Sequence, residues 1–183
     1  MQEIIILNKT FVPFLEHSLI QQRIEEIAVQ MQKDYATREP LFLGVLNGSF
    51  LFAADLLKNY QGTCRISFVK FTSYHGTQSS GQVNTLLGLN EDLKGQHIII
   101  LEDIVDSGLT LHQLLLTLQS YQPSSVQVAS LLLKPKALKM AVSVDYCGFE
   151  VENDFLLGFG LDYNGYGRNL KHIYKLKTKN VYA

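Results

Sequence analysis

The chain has 183 residues, enough for one ordinary domain with its own core and too few for two comfortable ones. Hydrophobic residues make up 46% and charged residues 18%, a globular composition that excludes a disordered chain. Lys and Arg number 16 against 17 Asp and Glu, so the net charge of −1 shows no basic excess for a nucleic-acid duplex or an anionic membrane.

An apolar strand, Ile4–Leu7, opens the chain, and Pro13 follows it. From about Glu16 to Tyr35 the apolar positions Leu19/Ile20, Ile24, Ile27/Ala28 and Met31 recur at helical spacing. Leu41–Leu46 reads as a buried strand, punctuated by Asn47-Gly48-Ser49, after which Phe50–Lys58 resumes helical spacing. Ile66–Phe71 is the next strand. Residues 72–88 contain no Lys, Arg, Asp or Glu and much Gly, Ser, Thr and Gln, the composition of a mobile loop. His97–Leu101 reads as a strand followed by a turn, Thr110–Tyr121 as an apolar helix and Ser125–Leu133 as another strand. Short strands close the pattern near Tyr146–Val151, Phe155–Phe159 and Ile173–Leu176. Apolar strands alternating with helices imply an α/β domain with a mostly parallel sheet covered on both faces. Cys64 and Cys147 form no CxxC pair, and the five histidines are scattered. These features suit reduced thiols in a cytoplasmic protein better than a disulfide framework or a zinc site. The N-terminus lacks a basic region ahead of its short apolar run, so neither a signal peptide nor a membrane span is expected.

HIIILEDIVDSGLT, residues 97–110, is the most informative stretch. A buried strand leads into Glu102 and Asp103; Asp106 follows, then a Gly-containing turn and a helix. Between Gly95 and Leu133 there is no Lys or Arg to neutralise these acids. Like charges this close raise one another's pKa unless a divalent cation or a hydroxyl-rich ligand offsets them. Ser107-Gly108-Leu109-Thr110, at a helix N-terminus, offers amides and hydroxyls to a phosphate. In isolation, Asp106 or Ser107 could simply cap the helix while Glu102 and Asp103 stay solvated. The ordered combination points instead to a pocket for a phosphorylated sugar. GxxxxGK[ST] and a strand-linked GxGxxG are both missing, so the triphosphatase and dinucleotide fingerprints do not apply.

This segment resembles the donor-binding signature of the type I phosphoribosyltransferases, in which hydrophobic residues precede two acids and Asp-[Ser/Thr]-Gly-x-Thr. The chain from Phe11 to about Lys175 is similar to the hypoxanthine-guanine branch. The resemblance implies the type I phosphoribosyltransferase fold, with a parallel sheet core, flanking helices and a small hood from both termini. It implies transfer of 5-phosphoribosyl from phosphoribosyl pyrophosphate to a 6-oxopurine. It also implies Mg²⁺ and a homodimer or homotetramer. Glu102 and Asp103 correspond to the acids beside the ribose hydroxyls and the metal, and Asp106 to the proton acceptor at the purine N7. Ser107, Gly108, Leu109 and Thr110 correspond to the phosphate turn.

GVLNGSF, residues 44–50, matches the pyrophosphate loop, with Leu46, Asn47 and Gly48 in contact and a non-proline cis peptide between Leu46 and Asn47. Asn47 stands where many members of that family carry Lys or Arg, so no charged side chain is expected there. Ser73 and Tyr74 lie at the base of a lid over residues 72–88. Lys134 resembles the contact to the purine 6-oxo group; an ammonium only donates, so it favours a carbonyl over adenine's amino group. Phe155 and Leu156 resemble the base-stacking pair. In FGLDYNGYGR, Asp162 resembles a second metal contact on the purine side, and Arg168 a pyrophosphate ligand. Three other readings compete: a regulator that binds nucleic acid on the same scaffold, an enzyme of the same fold that prefers xanthine or a pyrimidine, and a purely structural or interaction protein, which leaves the acidic cluster unexplained.

Overall fold

A computed structural model describes residues 2–72, 84–87 and 92–178. In chain order the elements are β1 (Ile4–Ile6), β2 (Lys9–Leu15), α1 (His17–Asp34), β3 (Leu41–Leu46), α2 (Phe50–Asn59), β4 (Arg65–Thr72) and β5 (Asn84–Leu87). They continue with β6 (His97–Val105), α3 (Leu109–Gln119), β7 (Ser125–Leu133), β8 (Tyr146–Glu150), β9 (Leu156–Leu157) and β10 (Ile173–Leu176).

The larger sheet runs in the order β5-β4-β3-β6-β7-β8. Every neighbouring pair from β4 to β8 is parallel, and only β5 joins antiparallel. Its central strands are apolar on both faces because helices cover both. Phe42, Ile99, Leu101, Ala129 and Leu131 pack with α1 and α2 through Ile20, Ile24, Ile27, Met31, Phe52 and Leu56. Leu41, Leu43, Val45, Ile98 and Ile100 pack with Leu111, Leu114 and Leu118 of α3 on the other face. Alternation along a strand thus divides one apolar run between two cores. None of the described helices is long and apolar enough to cross a membrane.

Chain direction across the sheet reverses between β3 and β6: β3 is followed outward by β4, and β6 by β7 and β8 on the other side. Loops leaving the carboxyl ends of two such strands diverge and leave a crevice where open α/β sheets bind ligands. Here the two loops are Asn47–Ser49 and Asp106–Gly108, the segments that carry the phosphate-binding motifs.

A second, antiparallel sheet, β1-β2-β10-β9, forms the hood from both ends of the chain around Phe11, Leu157 and Tyr174. Its β2 was not expected. Pro13 stands inside that strand and reads as a break, but it sits where β1 no longer pairs and where the β2–β10 register shifts. A missing N–H is tolerated at such a place. The N-terminus of α1 is tied to the hood: the His17 amide donates to His172 Nδ1 at 3.0 Å.

Two further expectations need correction. β6 does not end at Leu101 but runs to Val105, paired with β7 through Val105 and Leu133. Glu102 and Asp103 are therefore strand residues, not turn residues. The expected mobile loop over 72–88 contains β5, while Ser73, Tyr74 and the remainder of that loop lie outside the described residues.

Candidate active site

Parallel register places the site residues. Because Val105 faces Leu133 across the β6–β7 ladder, the next residues, Asp106 and Lys134, leave the sheet side by side. The buried Lys134 ammonium donates to Asp106 Oδ2 at 2.6 Å, whereas the Asp106 side chain is half exposed. Asp106 does not cap α3. The N-cap is Gly108, at a φ of 75° that favours glycine, and no side chain caps the helix. Ser107 Oγ accepts only a long 3.4 Å contact from the Leu109 amide, so the helix N-terminus is open to a ligand.

Two cavities flank Asp106. One, of about 110 Å³, is lined by Glu102, Ile104, Asp106, Ser107, Gly108 and Thr110. The other, of about 250 Å³, is lined by Asp103, Ile104, Asp106, Lys134, Phe155, Leu156, Leu161 and Asp162. Asp106 and Ile104 belong to both. A separate 300 Å³ hollow among Tyr35, Arg38 and Tyr60 lies at the amino ends of β3 and β4, away from these groups.

The acids inside this crevice are held at a cost. Burial, with the neighbouring charge of Asp103, pushes the Glu102 carboxyl well above the usual range. Burial lifts Asp103 to about 6; backbone amides at Asp103 and Ile104 and the charge of Arg168 oppose that rise, and Asp162 adds to it. In the ligand-free protein, raised values mean that the charged forms destabilise the fold. That penalty is absent below the unfolded value, builds as pH rises from about 4 to about 6, and is constant above that. Asp103→Asn is therefore expected to be more stable than the parent above pH 7, by up to about 3 kcal/mol. The gap should close as pH falls toward 4. Urea unfolding of both proteins at pH 8, 6 and 4.5, without divalent cations, checks this; a gap that is independent of pH contradicts it.

Around the mouth, Arg168 donates to Gly160 O at 2.6 Å and pairs with Asp162 Oδ1 at 2.5 Å, while Asp162 Oδ2 accepts the Gly165 amide at 2.7 Å. Phe155 is partly exposed at the cavity edge, with Tyr163 edge-on at 5.8 Å and Phe11 behind it at 6.3 Å. Leu156 is buried beneath it. The Leu46–Asn47 peptide is cis; Asn47 is exposed, and Gly48 lies so close to the Asp103 carboxylate that a Cβ there would overlap it.

The structure thus brings together Leu46, Asn47, Gly48, Glu102, Asp103, Asp106, Ser107–Thr110, Lys134, Phe155, Leu156, Asp162 and Arg168 around the carboxyl ends of the sheet. Ser73 and Tyr74 lie outside the described residues. Sequence reasoning missed Ile104 and Leu161, which line the second cavity. Ile104 could have been found by continuing the β6 pattern through the acids, whereas Leu161 carries no local signal.

The phosphoribosyl transferase domain model matches residues 14–164. Among relatives, the hypoxanthine-guanine phosphoribosyltransferase of Streptococcus pneumoniae is 37% identical over 170 residues, covering 92% of this chain and 94% of that protein. The hypoxanthine-guanine-xanthine phosphoribosyltransferase of Tritrichomonas foetus is 38% identical over 165 residues, 90% of each chain. The crystal structure of a hypoxanthine phosphoribosyltransferase from Staphylococcus aureus superposes with a TM-score of 0.85 at 34% identity, again covering 90% of each chain. Sequence and fold agree, and the chain belongs to the phosphoribosyl transferase family, in its hypoxanthine-guanine branch.

Proposed function

We propose that the protein transfers 5-phosphoribosyl from phosphoribosyl pyrophosphate to N9 of hypoxanthine or guanine, giving IMP or GMP and pyrophosphate in purine salvage. The observation that carries this reading is the position of Asp106 between two cavities. In this reading the one at the helix N-terminus takes a sugar phosphate, and the one between Lys134 and Phe155 takes a flat base. The similarity to enzymes named for that activity supports it.

In this reading the open N-terminus of α3, with Ser107 and Thr110, receives the 5-phosphate, and Arg168 and the loop at Leu46–Gly48 receive the pyrophosphate. The purine stacks on Phe155, with Leu156 at its edge. Lys134 releases Asp106 to donate to the 6-oxo oxygen, and Asp106 turns to N7. Bond breaking at the sugar carbon leaves it oxocarbenium-like. Carboxylates at Glu102, Asp103 and Asp106 then favour the transition state over the ground state, because positive charge develops only there. As N9 attacks, the base must lose a proton, and Asp106 is placed to take it.

Among the described residues no cluster of three or more His, Cys, Asp or Glu side chains is arranged to hold a metal. The donors present fit Mg²⁺ nevertheless. They are hard carboxylate oxygens, and a cation that keeps its waters and binds substrate phosphates needs only one or two of them. Glu102, Asp103 and Asp162 would hold it; burial pushes the Glu102 and Asp103 carboxyls up, and a bound cation would favour their charged forms. When bound, Mg²⁺ neutralises the diphosphate leaving group. A single domain acting as a cytoplasmic homodimer or homotetramer completes the proposal.

The test is incubation with Mg²⁺, phosphoribosyl pyrophosphate and hypoxanthine, guanine, xanthine or adenine, with nucleotide followed by absorbance. IMP or GMP should form rapidly and AMP should not. A folded protein that makes no nucleotide from any base contradicts the reading, and a dominant XMP product moves it to xanthine.

A further inference from the structure

The hood loop that carries Asp162 and Arg168 rests on the pyrophosphate loop through Gly160, a residue without a side chain. Its φ of 98° lies in the left-handed region, and a Cβ added there would overlap the carbonyl oxygen of Gly48. That obstacle is backbone and cannot swing aside as a flexible side chain could. Below it, a Cβ on Gly48 would overlap the Asp103 carboxylate. Asp103, Gly48 and Gly160 are therefore stacked with no side chain between the two loops.

Both backbone groups of Gly160 are also engaged by Arg168. The Gly160 amide donates to Arg168 O at 2.9 Å, and the guanidinium donates back to Gly160 O at 2.6 Å. The same guanidinium holds Asp162. Whatever fixes Gly160 against Gly48 thereby fixes the distance from Arg168 to the pyrophosphate loop. Two of the purine contacts are anchored elsewhere, Lys134 by β7 and Phe155 through its carbonyl, which accepts the Leu176 amide at 2.9 Å, whereas Leu161 and Asp162 of the same cavity lie on the hood loop itself.

We infer that Gly160 is a positioning residue that sets the grip on the diphosphate half of the donor more strongly than the grip on the purine. The inference rests on the donor-binding role proposed above for Arg168 and the Leu46–Gly48 loop. A methyl group at 160 would force the two loops apart by on the order of 1 Å to restore van der Waals contact. Misplacement of that size in a rigid anion site weakens binding by about 10-fold to 100-fold.

The experiment is calorimetric titration of Gly160→Ala, Arg168→Ala and the double variant with inorganic pyrophosphate and Mg²⁺, with IMP as the control ligand. Gly160→Ala should weaken pyrophosphate at least about 10-fold and shift IMP by less than about 2-fold. In the Arg168→Ala background the second substitution should add little, because Gly160 acts through Arg168. Unchanged pyrophosphate affinity, an equal loss for IMP, or full additivity each overturns the inference. If Gly160→Ala does not fold, hydrogen exchange of the parent protein decides. Pyrophosphate should slow the amides of residues 48–50 and 158–168 together, and slowing of only one loop overturns the clamp. Nucleotide formation by the parent is followed separately, so a failure of the enzyme reading appears there and not in pyrophosphate affinity.

Discussion

Asp106→Asn is expected to lower kcat for IMP formation by about 10²-fold to 10⁴-fold, the range that a positioned general base contributes. Asparagine keeps the shape and one hydrogen-bond acceptor, so the sugar-phosphate cavity survives. What it loses is the capacity to take a proton and the negative charge beside the forming cation. It also leaves the buried Lys134 ammonium without its anionic partner. Because the Asp106 carboxylate is half exposed, that loss destabilises the protein only modestly. The prediction separates chemistry from folding: kcat collapses, KM for phosphoribosyl pyrophosphate stays within a few-fold, and Tm falls by only a few degrees. Initial rates and a thermal melt on the same preparation measure all three. A kcat within about 3-fold of the parent would remove Asp106 from the proton transfer.

Lys134→Met should cut kcat/KM for hypoxanthine and guanine by about 100-fold and narrow the discrimination against adenine. Methionine matches the length and apolar stem of lysine, so the strand end keeps its packing. With the ammonium gone, a 6-oxo oxygen enters the cavity with no donor, and Asp106 faces it without a counter-charge. If Lys134 excludes adenine by setting a donor against its amino group, the substitution removes that clash, and the rate with adenine should change far less. Competition assays with hypoxanthine and adenine in one vessel read the ratio directly. If the ratio is unchanged, Lys134 does not select the base.

The donor half of the site was legible in the sequence because it is nearly contiguous. Glu102, Asp103, Asp106 and Ser107–Thr110 lie within nine consecutive positions, at the end of an apolar strand and the start of a helix. Secondary structure there follows from local pattern, and so does the crevice. The acceptor half depends on pairings between distant segments. Lys134 meets Asp106 only because β6 and β7 pair in one register, 28 positions apart. Phe155 gains its backing from Phe11 and Tyr163, at the two ends of the hood. The strand around Pro13 that was not expected and the turn expected after Leu101 share a cause. Local residue preference was read without the partner strand that overrides it. Gly160 shows the same limit, since a glycine in a turn-rich segment signals nothing until the Gly48 carbonyl beneath it is seen.

The hood imposes an order of events on synthesis. β10 lies between β2 and β9, although it is made last of the three, some 160 residues after β2. On the ribosome, the large parallel sheet and its crevice have all their strands once residue 150 has emerged. β2 and β9 cannot be joined until Ile173–Leu176 is released to fill the gap between them. A nascent chain therefore holds a complete cradle for the sugar phosphate before it has a wall against which a purine can rest. Under the proposed function, catalysis therefore waits on the release of Ile173–Leu176.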